Sequence, residues 1–488
     1  MISFAQVPTA LRYPGAYIEV DGSQAGLGGD IPAVLLVGQK LPAGTAAAGE
    51  IVQVSGVQDA IAKAGAGSML AQMAARYRAV DPVLDLYILP YADNAAGVQA
   101  TGTITVNTVP TVAGTLSLYI AGKLVSVAMV TGQTPTQIAT AIAAAINAAG
   151  TDIPVTATSA AAVVTLTARH KGTCGNAIDL RLNFFKEAAV VGLGLTIAAM
   201  AGGSGDPAPG NLTAILGQFW YRYIGLGIND AATLAAWHAE SQLHYKPPVQ
   251  QGFRIFTTHR GDYAAAAAFG TGCNYEHICD LSLEINPPST WEAAATLVAA
   301  AAPKLYNSPA ESLEGVPLPG LMAKTYHDWT NGNSLLFKGM SVMQVGKDGT
   351  CSIKRLVSMF QFRPDGASDD AFLDINVAEL MERIRIEQRF GARRFVGTAA
   401  AKSNEGYRPG LRITTEDDVR AMLLSVYKHT LMEEYGWVQA YDYYKDTLAV
   451  QQDPTNPSRF NYRDTPILLS PYYVLAGRSV FYKAVPTY

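Results

Sequence analysis

Two rhythms of apolar and polar positions run along this chain. Ile31 to Gln39 (IPAVLLVGQ) is a short apolar run bounded by Pro and Gly, the pattern of a strand buried on both faces of a parallel sheet. From Ser68 to Val80, Met69, Leu70, Met73 and Tyr77 recur at helical spacing, Asp81-Pro82 stops the helix, and Val83 to Leu89 is the next strand. The alternation resumes at Tyr221. Tyr223 to Ile228 is a strand, and Asp230 can cap a helix that runs through Leu243 by accepting from its free N–H groups. After Pro247-Pro248 come a strand (Phe253 to Thr258), a helix (Tyr263 to Phe269), a strand (Ile278 to Ile285) and a helix (Thr290 to Ala302). Strand and helix in alternation predict an α/β fold with a mostly parallel, doubly wound sheet.

The interruption, residues 95–205, has the second rhythm. Thr103–Asn107, Leu116–Ile120 and Lys123–Met129 read as strands, with Ala121-Gly122 as a tight turn. A helix after Thr134-Pro135 carries Ile138, Ile142 and Ile146 on one stripe, and Val155–Thr158, Val163–Thr167 and Ile178–Asn183 add strands. Between Thr101 and Ala168 the only charges are Lys123 and Asp152. This predicts a small, β-rich α+β domain inserted in a surface loop, where insertions are cheapest, and dispensable for folding. The α/β core is then discontinuous, 31–94 and 206–310.

Residues 311–472 form the expected carboxyl α+β domain. It opens with a Pro/Gly-punctuated linker, Glu311 to Met322, followed by a β-hairpin within Leu335 to Met359 that turns at Gly346-Lys347-Asp348-Gly349. One helix carries Val377, Leu380, Met381 and Ile384; a second, with Thr415 and Asp418 as a capping box, carries Val419, Met422, Leu423, Val426 and Tyr427. Both ends of the chain read as extended arms. Residues 473–488 are β-rich, with Arg478, Val480 and Tyr482 on one side and Gly477, Ser479 and Phe481 on the other. Neither side is cleanly apolar, so this segment suits the sheet edge of another chain better than a hairpin of its own. In residues 1–30, Arg12 to Val20 is extended and a Gly-rich tether, Asp21 to Asp30, follows; Tyr17, Ile18, Glu19 and Val20 are the candidate contacts.

Composition narrows the function. A net charge of −4 and a pI near 6.0 argue against a general nucleic-acid binder. The first residues lack a basic and then apolar leader, no apolar run reaches ~18 residues, and four cysteines make no disulfide framework. That pattern fits a chain made in a reducing cytoplasm, without membrane contact of its own. No Gly-x-Ser-x-Gly elbow or flanked Ser/His/Asp set occurs, and Gly225-x-Gly227 lacks the third glycine of a dinucleotide fingerprint. Cys273, His277 and Cys279 have no second ligand pair for a structural zinc, and Arg260-Gly261-Asp262 is a three-letter coincidence, so no cofactor or metal is expected. Charge is segregated instead. Residues 379–412 hold eight basic residues against four acidic ones, and 416–446 three basic against seven acidic. Solvated helix faces account for this blandly. Complementary subunit faces, with Arg393 and Arg394 meeting Glu433 and Glu434, are the sharper reading.

The order of motifs is more specific than any one of them. PGAYIEV near the start, VPLPGLM at Val316–Met322, the SIKRL strand from Ser352, the two helices, NPSR at Asn456–Arg459 and a Leu-Leu-x-Pro turn before the terminal strand together resemble contractile-phage tail sheath proteins of the Mu-like branch. The likeness covers about 180 residues of the carboxyl half and is weak over the insert. It implies a subtilisin-like core sheet and a structural, non-enzymatic subunit. Such copies polymerise as helical rings around an inner tail tube, with baseplate and tail terminator partners, in a virion tail assembled in the host cytoplasm. Contraction would drive the tube through the envelope while terminal arms exchange strands; Val342, Gln344, Ile353 and Arg355 of the hairpin are candidate receivers. An α/β hydrolase-like enzyme with a binding insert is the rival.

Overall fold

The computed structural model describes residues 32–403, 410–479 and 481. The amino-terminal arm, with Tyr17, Ile18, Glu19 and Val20, lies outside them, as do Val480 and Tyr482. The chain is mixed α/β with several sheets.

In chain order the first elements are β1 (Ala33–Gln39), β2 (Val52–Val54), α1 (Val57–Ala64), α2 (Met69–Val80) and β3 (Leu86–Tyr91). The interrupting module follows: β4 (Gln99–Thr108), β5 (Gly114–Ile120), β6 (Lys123–Met129), α3 (Pro135–Ala148), β7 (Val155–Ala160), β8 (Val163–Lys171), β9 (Leu180–Leu182) and β10 (Gly194–Ala201). The alternation then continues through α4 (Leu212–Leu216), β11 (Tyr221–Leu226), α5 (Ala231–Tyr245), β12 (Arg254–His259), α6 (Tyr263–Thr271), β13 (Ile278–Ser282) and α7 (Thr290–Asn307). Next come α8 (Trp329–Leu336), β14 (Met340–Val345), β15 (Cys351–Arg355) and α9 (Ile375–Ala392). The last stretch holds β16 (Ala399–Ala400), β17 (Ile413–Thr414), α10 (Glu416–Ser425), β18 (Val438–Gln439), α11 (Tyr441–Thr447), β19 (Ala449–Gln452), β20 (Phe460–Arg463) and β21 (Ile467–Leu468).

The main sheet has eight strands in the order β15-β14-β13-β12-β11-β1-β3-β2. The strands from β14 to β3 run parallel, and the two edge strands are antiparallel to their neighbours. Every residue of β1 is buried, as its unbroken apolar run requires. Gly225 and Gly227 are explained here without a cofactor. A Cβ at Gly225 would stand 2.8 Å from Leu36 and 2.9 Å from Val298; one at Gly227 would stand 2.7 Å from the sulfur of Met73. The missing side chains let α2 and α7 lie close on the sheet.

The hairpin differs from expectation. It is the far edge of the main sheet, not part of a carboxyl domain: β14 runs beside β13, with Asp280 opposite Met340, and β15 turns back on it. A hairpin pattern reports its own turn but not the sheet that its apolar face joins. The linker is also placed by this edge. Gly315 N–H donates to the Ile353 carbonyl, Ile353 N–H to that of Val316, and Leu318 N–H to that of Cys351, at 2.8–2.9 Å. The second apolar core begins only at α9, where Leu380, Ile384, Leu423, Tyr427, Trp437 and Tyr444 cluster.

The module at 95–205 has two sheets, β10-β4-β8-β7 and β6-β5-β9, over α3. Thr134 and Gln137 close a capping box on α3, and Ile138, Ile142 and Ile146 are fully buried. Hydrogen bonds and an ion pair tie it to the core. Asp93 accepts from the Gln39 side chain and from Lys171 N–H, and its carboxylate lies 2.8 Å from His170 Nδ1. His170 Nε2 accepts from Met69 N–H, one of the free donors at the start of α2, at 2.9 Å. Lys123, at the β5–β6 turn, reaches the buried Glu292 of α7 at 3.0 Å.

One buried ionic cluster joins the main sheet to the carboxyl unit. Glu379 of α9 is 1% exposed; it accepts from Arg222 Nε (3.0 Å) and Nη2 (2.6 Å) and from the Tyr223 hydroxyl (3.0 Å). Arg254 and Arg383 stand 3.7 Å away, and Arg254 also donates to the Ala378 carbonyl. Burial alone would push the Glu379 carboxyl up; Arg222, Arg254 and Arg383 outweigh it and hold the group below its usual range. Removing one member of such a cluster strands the others. Glu379→Ala should cost about 3–5 kcal/mol in urea unfolding, and Glu379→Leu combined with Arg222→Met should cost less than Glu379→Ala.

Asp280 of β13 is the opposite case. It is fully buried, the His259 backbone amide offsets that burial only in small part, and burial raises its pKa from 3.8 to about 8. The folded state therefore binds a proton that the unfolded state releases. This contribution to stability is complete below pH ~3.8 and is lost as the pH rises through about 8. Asp280→Asn should flatten the dependence of Tm on pH between 4 and 8, and at pH 8 should unfold at a higher temperature than the parent; thermal melts across that range measure both.

Candidate intersubunit interface

β21 pairs with β18, with Gln439 opposite Ile467, and Leu469 N–H donates to the Trp437 carbonyl. From there to residue 479 the described chain has no strand partner. Tyr473 pins the start of this segment. Its ring lies 4.4 Å from the Arg355 guanidinium, and burial, with Asp374 nearby, pushes its pKa up to about 12. Beyond it the side chains are out in solvent: Val474 is 76% exposed, Leu475 85% and Phe481 81%, and Arg478 and Ser479 are exposed as well. The β pattern is there, but a strand needs a partner for its backbone groups, and this chain supplies none among its described residues.

The expected receiving hairpin is less open than its sequence suggests. Val342 and Ile353 are buried, Gln344 and Arg355 half-buried; Val342 stands opposite Arg355, and Gln344 donates to Ser352 Oγ at 3.0 Å. The outer ladder at Cys351 and Ile353 is already taken by Gly315–Leu318, so these residues offer no free edge there. What the hairpin does form is the wall of a groove of about 870 Å³ against α8, entered by Tyr473 and Val474 and flanked by Trp329, which is 82% exposed. A freer edge lies elsewhere in the carboxyl unit. β19 and β20 make an isolated two-stranded sheet. Gln452 N–H of β19 is held by Glu416, whereas the outward backbone groups of Phe460 and Tyr462 on β20 have no partner among the described residues. The turn signals of Asp453 to Pro457 mark this hairpin in the sequence.

The charge blocks are partly internal. Arg383 and Arg385 pair with Glu379 and Glu382. Arg393 and Arg394, at the end of α9, are exposed, and Arg394 Nε donates only to the Gly391 carbonyl. Glu433 and Glu434 are exposed too; Glu433 is 2.7 Å from His429. No ion pair among the described residues joins the arginine pair to the glutamate pair within the chain.

Among the described residues, the groups that could serve nucleophile or metal chemistry are engaged elsewhere. Asp93–His170 resembles a catalytic dyad, but Nε2 is spent on Met69 N–H, and the nearby Cys174 thiol, pushed up by burial, donates to Gln39. His170 has no flanking signature along the chain; only the fold brings it to Asp93. Arg260 is held by Asp179 and the Asn286 carbonyl, and Asp262 caps α6, which removes the adhesion reading of that tripeptide. His277 is fully buried against Tyr245, and no group of three potential metal ligands is found among the described residues.

Comparison with known proteins supplies the family. No family model matches the chain. The Mu-like prophage FluMu tail sheath protein of Haemophilus influenzae is 32% identical over 97% of this chain and 98% of its own length. Among solved structures, a sheath tail protein of Desulfitobacterium hafniense aligns at 14% identity and a TM-score of 0.46, covering 93% of this chain and all of that one. A chain of the contracted PVC sheath complex of an extracellular contractile injection system aligns at 10% identity and a TM-score of 0.47, covering 98% and 99%. Near full-length identity at that level to a sheath protein sets the hydrolase reading aside: the chain belongs to the Mu-like tail sheath protein family and is a structural subunit of a contractile tail sheath.

Proposed function

We propose that copies of this chain stack as helical rings around an inner tail tube, between a baseplate and a tail terminator, in a particle assembled in the host cytoplasm. Contraction of the stack drives the tube through the host envelope. The core sheet is read as subtilisin-like and doubly wound, serving as a scaffold without catalytic activity. The observation that carries the assembly model is the carboxyl segment beyond Tyr473: rich in exposed apolar side chains, and without a strand partner among the described residues. We place its receiving edge on β20 of a second copy, since the outer ladder of β15 is filled.

An arm of about ten residues adds some ~5 interchain backbone hydrogen bonds, each worth a net ~0.5–1.5 kcal/mol. Ordering it costs ~1–2 kcal/mol per residue, so side chains such as Leu475 and Phe481 must bury apolar area as well. One arm is then close to neutral, and a mesh of arms given and received is stable where a single exchange is not. Truncation after Tyr473, which keeps the contact with Arg355, should leave a folded subunit that no longer forms tubes; so should removal of Met1 to Asp21. Negative-stain images of both proteins decide it, and tubes of normal length from both would sink arm exchange.

The charged faces are proposed to meet between subunits as the polymer compacts. Exposed pairs weaken as the Debye length falls from ~10 Å at 0.1 M to ~3 Å at 1 M salt. Arg393→Glu with Arg394→Glu should impair polymerisation, and adding Glu433→Lys with Glu434→Lys should partly restore it, both read by sedimentation at low salt. An unaltered polymer in the first variant would reduce these faces to solvated surface.

A further inference from the structure

α10 does not end at Ser425. It continues without a break into a nine-residue π-helix, Val426–Glu434. Wide i→i+5 winding is rare and is found mostly as single turns at functional sites. The sequence does not ask for it. VYKHTLMEE contains neither Gly nor Pro, and its Lys, Leu, Met and Glu are good α-formers. The extra width is imposed from both ends. At the entry, the Tyr427 ring stacks on Tyr444 with centroids 3.7 Å apart, and its hydroxyl donates to the Gln439 carbonyl at 2.6 Å and accepts from Ile467 N–H at 3.2 Å. At the exit, Leu431 is buried and its carbonyl accepts from Trp437 N–H at 2.8 Å. Trp437 in turn stacks on Tyr435 with centroids 4.3 Å apart and accepts from Leu469 N–H at its carbonyl.

Both anchors are thus attached to β18 and β21, the pair from which the carboxyl segment departs. Outside these anchors the side chains are held lightly: His429, Met432, Glu433 and Glu434 are exposed, His429 pairs with Glu433 of the same helix at 2.7 Å, and Lys428 lies 5.5 Å from the Tyr441 ring. We propose that residues 426–434 are a two-state helix at the root of the carboxyl segment, π-wound in the free subunit and rewound to α when a neighbouring copy pulls on that segment. A turn closed at i→i+5 holds about one residue more than an α-turn, so rewinding rotates the following side chains by about 100° around the axis. Glu433 and Glu434 are re-aimed by the pull itself. The neighbour's pull rests on the sheath reading; the two windings of the segment do not.

Deleting His429, which pairs with Glu433 of the same helix and with neither anchor, removes one residue and lets the helix close as α with both anchors kept. In the full chain, the deletion should leave the Tm of the free subunit unchanged or raise it by about 2 °C or more. His429→Ala, which keeps the length, serves as the control. Tubes of the deletion variant, heated in steps below the Tm and imaged, should stay in one state where parent tubes contract. A Tm below that of His429→Ala would show that packing demands the π form, and contraction like the parent's would show that rewinding is not used; either overturns the proposal. Failure of the parent itself to form tubes would count against the sheath reading instead.

Discussion

Everything carboxyl-terminal to the main sheet depends on where one carboxylate is buried. Glu379 brings a charge into a site with almost no solvent, and three arginines from β11, β12 and α9 converge on it. Long-range attraction is not what makes this binding; the cost of stranding any one member is. Removal of a member is punished more than formation is rewarded, so the cluster fixes the angle between the sheet and the second core even if it adds little net stability. The surrounding aromatic faces reinforce the same geometry: the Arg383 guanidinium lies 4.0 Å from the Tyr306 ring, and that of Arg385 lies 4.4 Å from Tyr245.

Much of the scaffold was legible in the chain because it is written locally. The buried run at β1, the Asp230 cap and the Thr415 capping box each depend on residues within a few positions of one another, and each is found. Long-range placements were not legible. Nothing in Met340–Arg355 states that its hairpin joins β13, nor in Gly315–Leu318 that this stretch covers β15. His170 and Asp93 are 77 residues apart, and Glu379 and Arg222 are 157 apart. The charge blocks show the same limit, since counting could not tell Arg383, turned inward on Glu379, from Arg393, turned to solvent.

Sheet edges are handled selectively. The carbonyls of Gln53 and Val54 on β2 accept from Lys63 and Arg78, and Asn147 both donates to and accepts from the backbone of Ala157 on β7. β15 is covered by the linker. Such guarding keeps a concentrated pool of identical chains from pairing at random. Against that background the outer side of β20 and the carboxyl segment stand out together, both without a strand partner among the described residues.

The junction of the inserted module has a practical consequence. Val98 and Ser204 bridge one another where the chain enters and leaves, and β4 and β10 run outward from there to Thr108 opposite Gly194, about 30 Å away at ordinary strand rise. The loops around Val112, Val130 and Val191 therefore lie at the end of a stiff post, remote from the register of the main sheet. Foreign peptides or affinity tags spliced there would sit apart from the strand pairing of the main sheet, which makes this tip the natural point for adding sequence to the subunit.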